Sequence, residues 1–224
     1  MGRFRHVFIV TYGRTGSTLL MQVLNAIEGY YIKGESSGIV YSLAQTVKAA
    51  EDMLRRLEKG RRVRTVSALY GAQHINFALI QKQAMTALNQ IMYRSPRGRR
   101  KGRYRVYGFK EVEYDLPDLA EHLDFLSERF TASAFIFLTR DHEEVAKSGF
   151  WQFVAPRNRT HRLNKMEERF RRYAFSNASR CFSLDYADLE PDGARLEQLF
   201  QFLGEDPDRE KVRKVFEKTY SYGA

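Results

Sequence analysis

Short apolar segments alternate with amphipathic ones along most of this sequence. Segments 6–11 and 134–139 are short, apolar and rich in β-branched or aromatic residues, which is typical of buried strands. Weaker strand patterns lie at 30–32, 105–112 and 181–184. Apolar residues at helical spacing predict helices at 17–27, 40–59, 74–93, 116–130, 140–153, 161–176, 194–203 and 209–219. This alternation predicts an α/β fold with a mainly parallel central sheet flanked by helices.

The domain organisation predicted from this pattern is a single domain over 1–224, with a helical insertion and a basic loop over about 40–104. The loop, at 94–105, is rich in arginine and glycine. It could bind an anionic acceptor such as an acidic glycan, or it could be a solvated surface loop, since most charge runs are solvated.

Composition narrows the protein class. The chain has 224 residues and a net charge of +10, which suggests an anionic partner without selecting one. Its single cysteine, Cys181, lies in an apolar run, so we expect a buried, inert thiol and no intramolecular disulfide. The first apolar segment is too short for a signal peptide, and no apolar run is long enough to span a membrane. We therefore expect a soluble, cytoplasmic protein.

The first strand leads into a loop suited to binding an anion. Gly13 and Gly16 allow a tight turn, and Ser17 and Thr18 supply hydroxyl groups where the first helix begins. The first N–H groups of a helix have no intrahelical acceptor and can bind an anion, to which Arg14 adds a positive charge. The loop lacks the Gly-x-x-x-x-Gly-Lys-Ser/Thr pattern of ATP-type phosphate loops.

This loop, TYGRTGSTLL, resembles the phosphosulfate loop of sulfotransferases that use 3'-phosphoadenosine 5'-phosphosulfate (PAPS), in the Arg-Thr-Gly form of bacterial and carbohydrate enzymes. A second element supports the resemblance. Arg140 follows the strand at 134–139 and Ser148 lies eight residues later, as in the family's 3'-phosphate site. Arg140 alone could be a strand-end ion pair or part of a helix cap.

The resemblance implies a phosphate-loop-like sulfotransferase fold and a set of roles. Arg14 would face the leaving group during sulfonyl transfer. Arg140 and Ser148 would bind the 3'-phosphate, and the 5'-phosphate would be held by Thr15, Gly16, Ser17 and Thr18. The reaction would release 3',5'-adenosine diphosphate and need no metal. A later segment, 183–189, also resembles the family, and we expect it to have a structural role.

The acceptor's proton needs a base. Glu35 follows the short strand at 30–32 in a Gly-Glu segment, and the resemblance implies that it is the catalytic base. Glu111 and His74 are the alternatives. Lys110, beside Glu111, could contact the sulfonate or the substrate.

The sequence does not select the acceptor. We expect a small molecule or a glycan and no nucleic-acid partner, because no reader motif for nucleic acid is present. Two other functions stay open: a phosphate-loop nucleotide kinase, and a non-catalytic protein that binds an anionic polymer.

Overall fold

The computed structural model describes residues 2–59, 68–95, 104–147 and 149–221. The chain divides into two compact units, one formed by 1–37 with 95–224 and the other by 38–94. The single domain over 1–224 with an insertion over about 40–104 stays a prediction.

The larger unit contains a parallel sheet with helices between its strands. Its strands are β1 (His6–Val10), β2 (Tyr30–Lys33), β3 (Val106–Glu111), β4 (Ser133–Thr139) and β5 (Cys181–Asp185). Its helices are α1 (Ser17–Ala26), α4 (Leu119–Arg129), α5 (His142–Ala146), α6 (Pro156–Ser176), α7 (Ala194–Leu203) and α8 (Arg209–Ser221). The strand order is β2-β3-β1-β4-β5, and every pairing is parallel. The predicted α/β fold, with a mainly parallel sheet flanked by helices, is confirmed.

The two faces of β1 explain how the core forms. Successive side chains of a strand point to opposite faces. Val7 and Ile9 join the aliphatic cluster that α1, α7 and α8 complete. Phe8 instead belongs to an aromatic cluster, where its ring centroid lies 4.9 Å from that of Phe109 and 5.4 Å from that of Phe135. Because both faces of the sheet are covered, every residue of β1 is buried, and all but His6 are apolar.

The smaller unit is built from α2 (Ile39–Lys59) and α3 (Phe77–Tyr93), which pack against each other. Asn76 caps α3 by accepting a hydrogen bond from the N–H of Leu79 at 2.9 Å. Across the pair, the Nε2 of Gln81 donates to the carboxylate of Glu51 at 2.8 Å.

The predicted helix at 140–153 is wrong. Helix α5 covers only His142–Ala146, and Gly149–Phe153 forms a separate 3-10 turn. Gly149 has a φ of 66°, a left-handed value that an α-helix does not accept. The next helix, α6, starts at Pro156 rather than at 161, because proline suits the first turn of a helix.

Cys181 is buried, as predicted. Within the described ranges, no helix combines the length and the apolar character that crossing a bilayer requires. The cytoplasmic location stays a prediction.

Candidate active site

The loop after β1 is held from inside by two threonine hydroxyl groups. The Oγ1 of Thr11 donates to the carbonyl of Leu138 on β4 at 2.7 Å, and it lies 2.6 Å from the Oγ1 of Thr15. The Oγ1 of Thr15 also donates to the carbonyl of Tyr12 at 3.1 Å. Thr15 is fully buried. Its hydroxyl therefore shapes the loop, and its backbone N–H is the group it could offer to a phosphate.

The backbone of this loop turns through two left-handed residues. Arg14 has a φ of 75° and Gly16 a φ of 80°. A positive φ is uncommon for arginine, and such strain is often concentrated at functional sites. Helix α1 then begins at Ser17 with no side-chain cap. The N–H groups of Ser17, Thr18 and Leu19 have no acceptor within the helix, so they form an anion-binding end.

A cavity of about 450 Å³ opens at the carboxyl ends of the strands. In open α/β sheets this is the edge where ligands bind. Seven residues predicted from the sequence lie together on its wall: Arg14, Gly16, Ser17, Thr18, Glu35, Lys110 and Arg140. The cavity therefore unites the loop after β1, the turn after β2, the end of β3 and the residue that follows β4.

Arg140 is placed by an aromatic ring and by the backbone of the loop. Its guanidinium carbon lies 4.3 Å from the centroid of the Tyr186 ring. One Nη donates to the carbonyl of Arg14 at 3.2 Å, and the other lies 3.6 Å from Glu144. Its Nε is buried, and none of the described residues supplies it with an acceptor. A buried donor without an acceptor is costly, which favours an anion at this point.

Glu35 and Lys110 form an ion pair on the cavity wall. Lys110 lies on β3 and its side chain is buried, whereas 42% of the Glu35 side chain is exposed. The buried ammonium group therefore fixes the position of the more accessible carboxylate. Glu35 can reach a ligand in the cavity.

Glu111 has a different environment. It is buried, and its carboxylate accepts hydrogen bonds from the N–H and the hydroxyl of Ser36, at 3.1 and 2.8 Å. It also accepts one from the N–H of Val112 at 3.0 Å. Glu111 thus anchors the turn that carries Glu35, and it does not line the cavity formed by the described residues.

Two further site residues were predicted, His74 and Ser148. His74 belongs to the smaller unit, where it is exposed at the end of the 3-10 turn Ala72–His74. Ser148 and residues 96–103 of the basic loop lie outside the described residues. In the described part of the chain, no group of three or more histidine, cysteine, aspartate or glutamate residues could hold a metal ion.

A partly buried hydrogen-bond network beside the cavity was not predicted. The hydroxyl of Tyr12 donates to Oε1 of Glu167 at 2.6 Å and accepts from the N–H of Arg140 at 3.1 Å. The Nε2 of His142 lies 2.9 Å from the same Glu167 oxygen. Burial and the neighbouring carboxylate raise the pKa of Tyr12, so it stays a donor. The network joins the ends of β1 and β4 to α6.

Two aromatic residues at the site lie outside the predicted set of site residues. Tyr186, in the segment expected to be structural, lines the cavity. Trp151 donates from Nε1 to the carbonyl of Gly13 at 3.1 Å and so holds the loop from the other side. The sequence offers the aromatic run at 150–153 as a wall for the acceptor or the adenine, with helix core packing as the alternative for at least two of its side chains.

Comparisons with known proteins identify the family. The model of the sulfotransferase family matches residues 6–209. Among solved structures, the chain is similar to sulfotransferase STF9 from Mycobacterium avium, with 11% identity, 99% of this chain and 69% of that chain covered, and a TM-score of 0.47. It is also similar to a sulfotransferase from Alicyclobacillus acidocaldarius. That match has 13% identity, covers 96% of this chain and 90% of that chain, and has a TM-score of 0.52. No curated protein matches.

The family match covers most of the chain and confirms the family predicted from the sequence. The second structural similarity agrees with the observed α/β fold. The chain belongs to the sulfotransferase family and is an enzyme of that class.

Proposed function

We propose that this enzyme transfers a sulfonyl group from PAPS to a hydroxyl or amine of a small-molecule or glycan acceptor, with Glu35 as the general base. One observation carries the proposal. A helix start, an arginine at a neighbouring strand end and an accessible carboxylate line the same cavity. A donor with two separate phosphate groups needs two anion sites, and an acceptor that loses a proton needs a base.

The 5'-phosphosulfate end fits the start of α1. The backbone N–H groups of Gly16, Ser17 and Thr18 and the hydroxyl groups of Ser17 and Thr18 supply donors to the phosphate oxygens. Arg14 adds a guanidinium whose charge stabilises the phosphate oxygen on which negative charge develops.

The 3'-phosphate fits Arg140. Its Nη groups are shared between the carbonyl of Arg14 and Glu144, while its buried Nε has no acceptor among the described residues. Tyr186 supports the guanidinium from its ring face. Ser148, which the family resemblance assigns to the same phosphate, completes the proposed set.

Bound PAPS would supply the sulfonyl group. The acceptor oxygen or nitrogen would bond to the sulfur, and the bond from sulfur to the 5'-phosphate oxygen would break with its electron pair staying on that oxygen. The product released would be 3',5'-adenosine diphosphate. Glu35 takes the acceptor's proton. Lys110 holds the Glu35 carboxylate at the cavity wall and adds a positive charge near the transferred group.

Donor binding is tested by thermal melting of the chain with 3',5'-adenosine diphosphate, with ATP and without ligand. A ligand that binds the folded state raises the melting temperature. We expect stabilisation by the bisphosphate that Arg140→Ala abolishes and that Arg157→Ala, at an exposed position on α6, retains. Stabilisation by ATP alone would favour a nucleotide kinase instead.

The role of Glu35 is tested by Glu35→Gln. A positioned general base contributes about 100- to 10,000-fold to a rate, so we expect turnover to fall by that order while bisphosphate binding is retained. The exposed Glu28→Gln, in the turn before β2, is the control. Normal turnover by Glu35→Gln would move the base to another residue, and Glu111→Gln and His74→Ala would then be compared.

A further inference from the structure

A second cavity, of about 480 Å³, adjoins the first. Three residues line both cavities: Gly13, Arg14 and Val112. Arg14 is the residue proposed to face the bond that breaks. A molecule in the second cavity would therefore lie next to the reacting end of the donor.

The walls of this second cavity are mainly apolar. Val112, Leu116 and Met166 supply aliphatic surface, and Phe150 and Trp151 supply rings. The two ring centroids lie 5.6 Å apart and the rings cross at 65°. Trp151 is fixed by its hydrogen bond to the carbonyl of Gly13, so its ring is a rigid wall. Surfaces of this kind bind flat apolar groups.

The charged groups at this cavity are balanced. Arg162 lies 5.4 Å from the Trp151 ring centroid and 5.7 Å from that of Phe150. Its Nε also donates a hydrogen bond to the Asp115 carboxylate at 3.0 Å. With Arg14 and Glu113 included, the described residues of the lining carry two cations and two carboxylates. The formal charges cancel, so the cavity does not favour a charged acceptor.

We infer that the second cavity binds the acceptor, and that the acceptor is a small, neutral, largely apolar alcohol, a phenol-like molecule rather than a glycan. This inference rests on the proposed function. The volume falls within the range of about 300–1,000 Å³ typical of small-molecule sites. A sugar would turn many hydroxyl groups toward apolar walls, and each hydroxyl left without a hydrogen-bond partner weakens binding. An acceptor with one hydroxyl, directed toward the first cavity, avoids that cost.

The sequence provides a matched pair of variants. Phe150 and Phe153 lie on the same 3-10 turn, and both are exposed, at 61% and 81%. Phe150 lines the second cavity, whereas Phe153 does not. Both positions tolerate truncation, because neither side chain belongs to the buried core. A difference between Phe150→Ala and Phe153→Ala therefore reports the cavity wall and not folding.

The experiment uses 2-naphthol and maltose as acceptors with PAPS, and it records binding as well as turnover. Trp151 is the only tryptophan of the chain, so its fluorescence reports on this cavity. We expect 2-naphthol to quench that fluorescence saturably in the presence of 3',5'-adenosine diphosphate and to be sulfonated. For Phe150→Ala we expect the KM for 2-naphthol to rise about threefold to tenfold, with the KM for PAPS unchanged. Phe153→Ala should match the wild type.

Failure of the acceptor assignment can be told apart from failure of the proposed function. If the bisphosphate stabilises the protein and maltose is sulfonated while 2-naphthol neither quenches nor reacts, the acceptor assignment falls and the proposed function stands. Equal effects of Phe150→Ala and Phe153→Ala on 2-naphthol would also overturn the assignment alone. If the bisphosphate does not stabilise the wild-type protein, the proposed function falls, and the acceptor assignment falls with it.

Discussion

Gly16 occupies a position where any side chain would meet the Tyr186 ring. A Cβ atom at this residue would overlap Cδ2 and Cε2 of the ring and lie 3.5 Å from its Cγ. The guanidinium of Arg140 also contacts this ring, with its carbon 4.3 Å from the ring centroid. We therefore expect Gly16→Ala to affect both stability and donor binding.

Two separate costs contribute to this substitution. Gly16 has a φ of 80°, and the left-handed conformation costs an L-residue about 1–2 kcal/mol. Forcing the new methyl group against the ring costs about 1–3 kcal/mol, the usual range for overpacking. The free energy of unfolding should thus fall by about 2–5 kcal/mol, a large part of the roughly 5–15 kcal/mol typical of a domain.

The two costs are separated by a double-mutant cycle measured by urea denaturation. In a Tyr186→Ala background the ring is absent, so Gly16→Ala should cost only the conformational part, about 1–2 kcal/mol. Gly34→Ala is the matched control, since a Cβ at Gly34 meets nothing within 4 Å. Bisphosphate affinity, measured by calorimetry, should fall about tenfold or more for Gly16→Ala, because a displaced ring no longer supports Arg140.

An equal free-energy cost of Gly16→Ala with and without the Tyr186 ring would refute the predicted clash. That result would mean that the ring does not pack on the loop. Unchanged bisphosphate affinity in Gly16→Ala would separately refute the link from the ring to Arg140.

Three further predictions concern the structure that supports the site. Tyr12→Phe removes the 2.6 Å hydrogen bond to the poorly exposed Glu167 carboxylate, so the free energy of unfolding measured in urea should fall by about 1–3 kcal/mol. An unchanged free energy of unfolding would show that this hydrogen bond does not stabilise the protein. Asn25→Ala removes two hydrogen bonds to the Ile32 backbone, at 2.8 and 2.7 Å, and should cost a similar amount in the same assay, whereas full stability would show that β2 needs no such support. Burial raises the pKa of Cys181 to about 12, so a disulfide reagent at pH 8 should label the unfolded chain and not the native one; rapid native labelling would be the opposite result.

The parts of the fold that local patterns determine could be predicted from the sequence. The first strand, its turn and the first helix follow from an apolar run, two glycines and helical spacing, and each of these signals lies within a few residues. The segment after β4 shows the limit of this approach. The apolar spacing continues through 140–153, yet α5 stops at Ala146, and Gly149 then takes a left-handed φ that a continuous helix would not accept. Glycine tolerates either conformation, so the pattern alone does not show which one it adopts.

The residues of the candidate site fall into the same two groups: those that local patterns predict and those that depend on distant neighbours. Arg140 was predicted because it directly follows an apolar strand, and Arg14 because it lies in the glycine-containing turn after another; parallel strands end at one edge of the sheet. Tyr186 and Glu167 were not, because their importance depends on residues far away in the sequence. Tyr186 meets Gly16 and Arg140 only because β5 lies next to β4. Without homologous sequences, nothing in the chain marks such distant pairs.

The strand order also explains how the two proposed anion sites could serve one donor. β4 lies directly beside β1, so the residues that follow these strands, Arg140 and the loop with Arg14, are neighbours. The guanidinium of Arg140 bonds to the carbonyl of Arg14, and the Arg140 N–H bonds to the hydroxyl of Tyr12. The separation of the two sites is therefore set by the sheet and by these bonds, not by flexible side chains. Since this spacing exists before the donor binds, little of the binding free energy is lost in ordering the site.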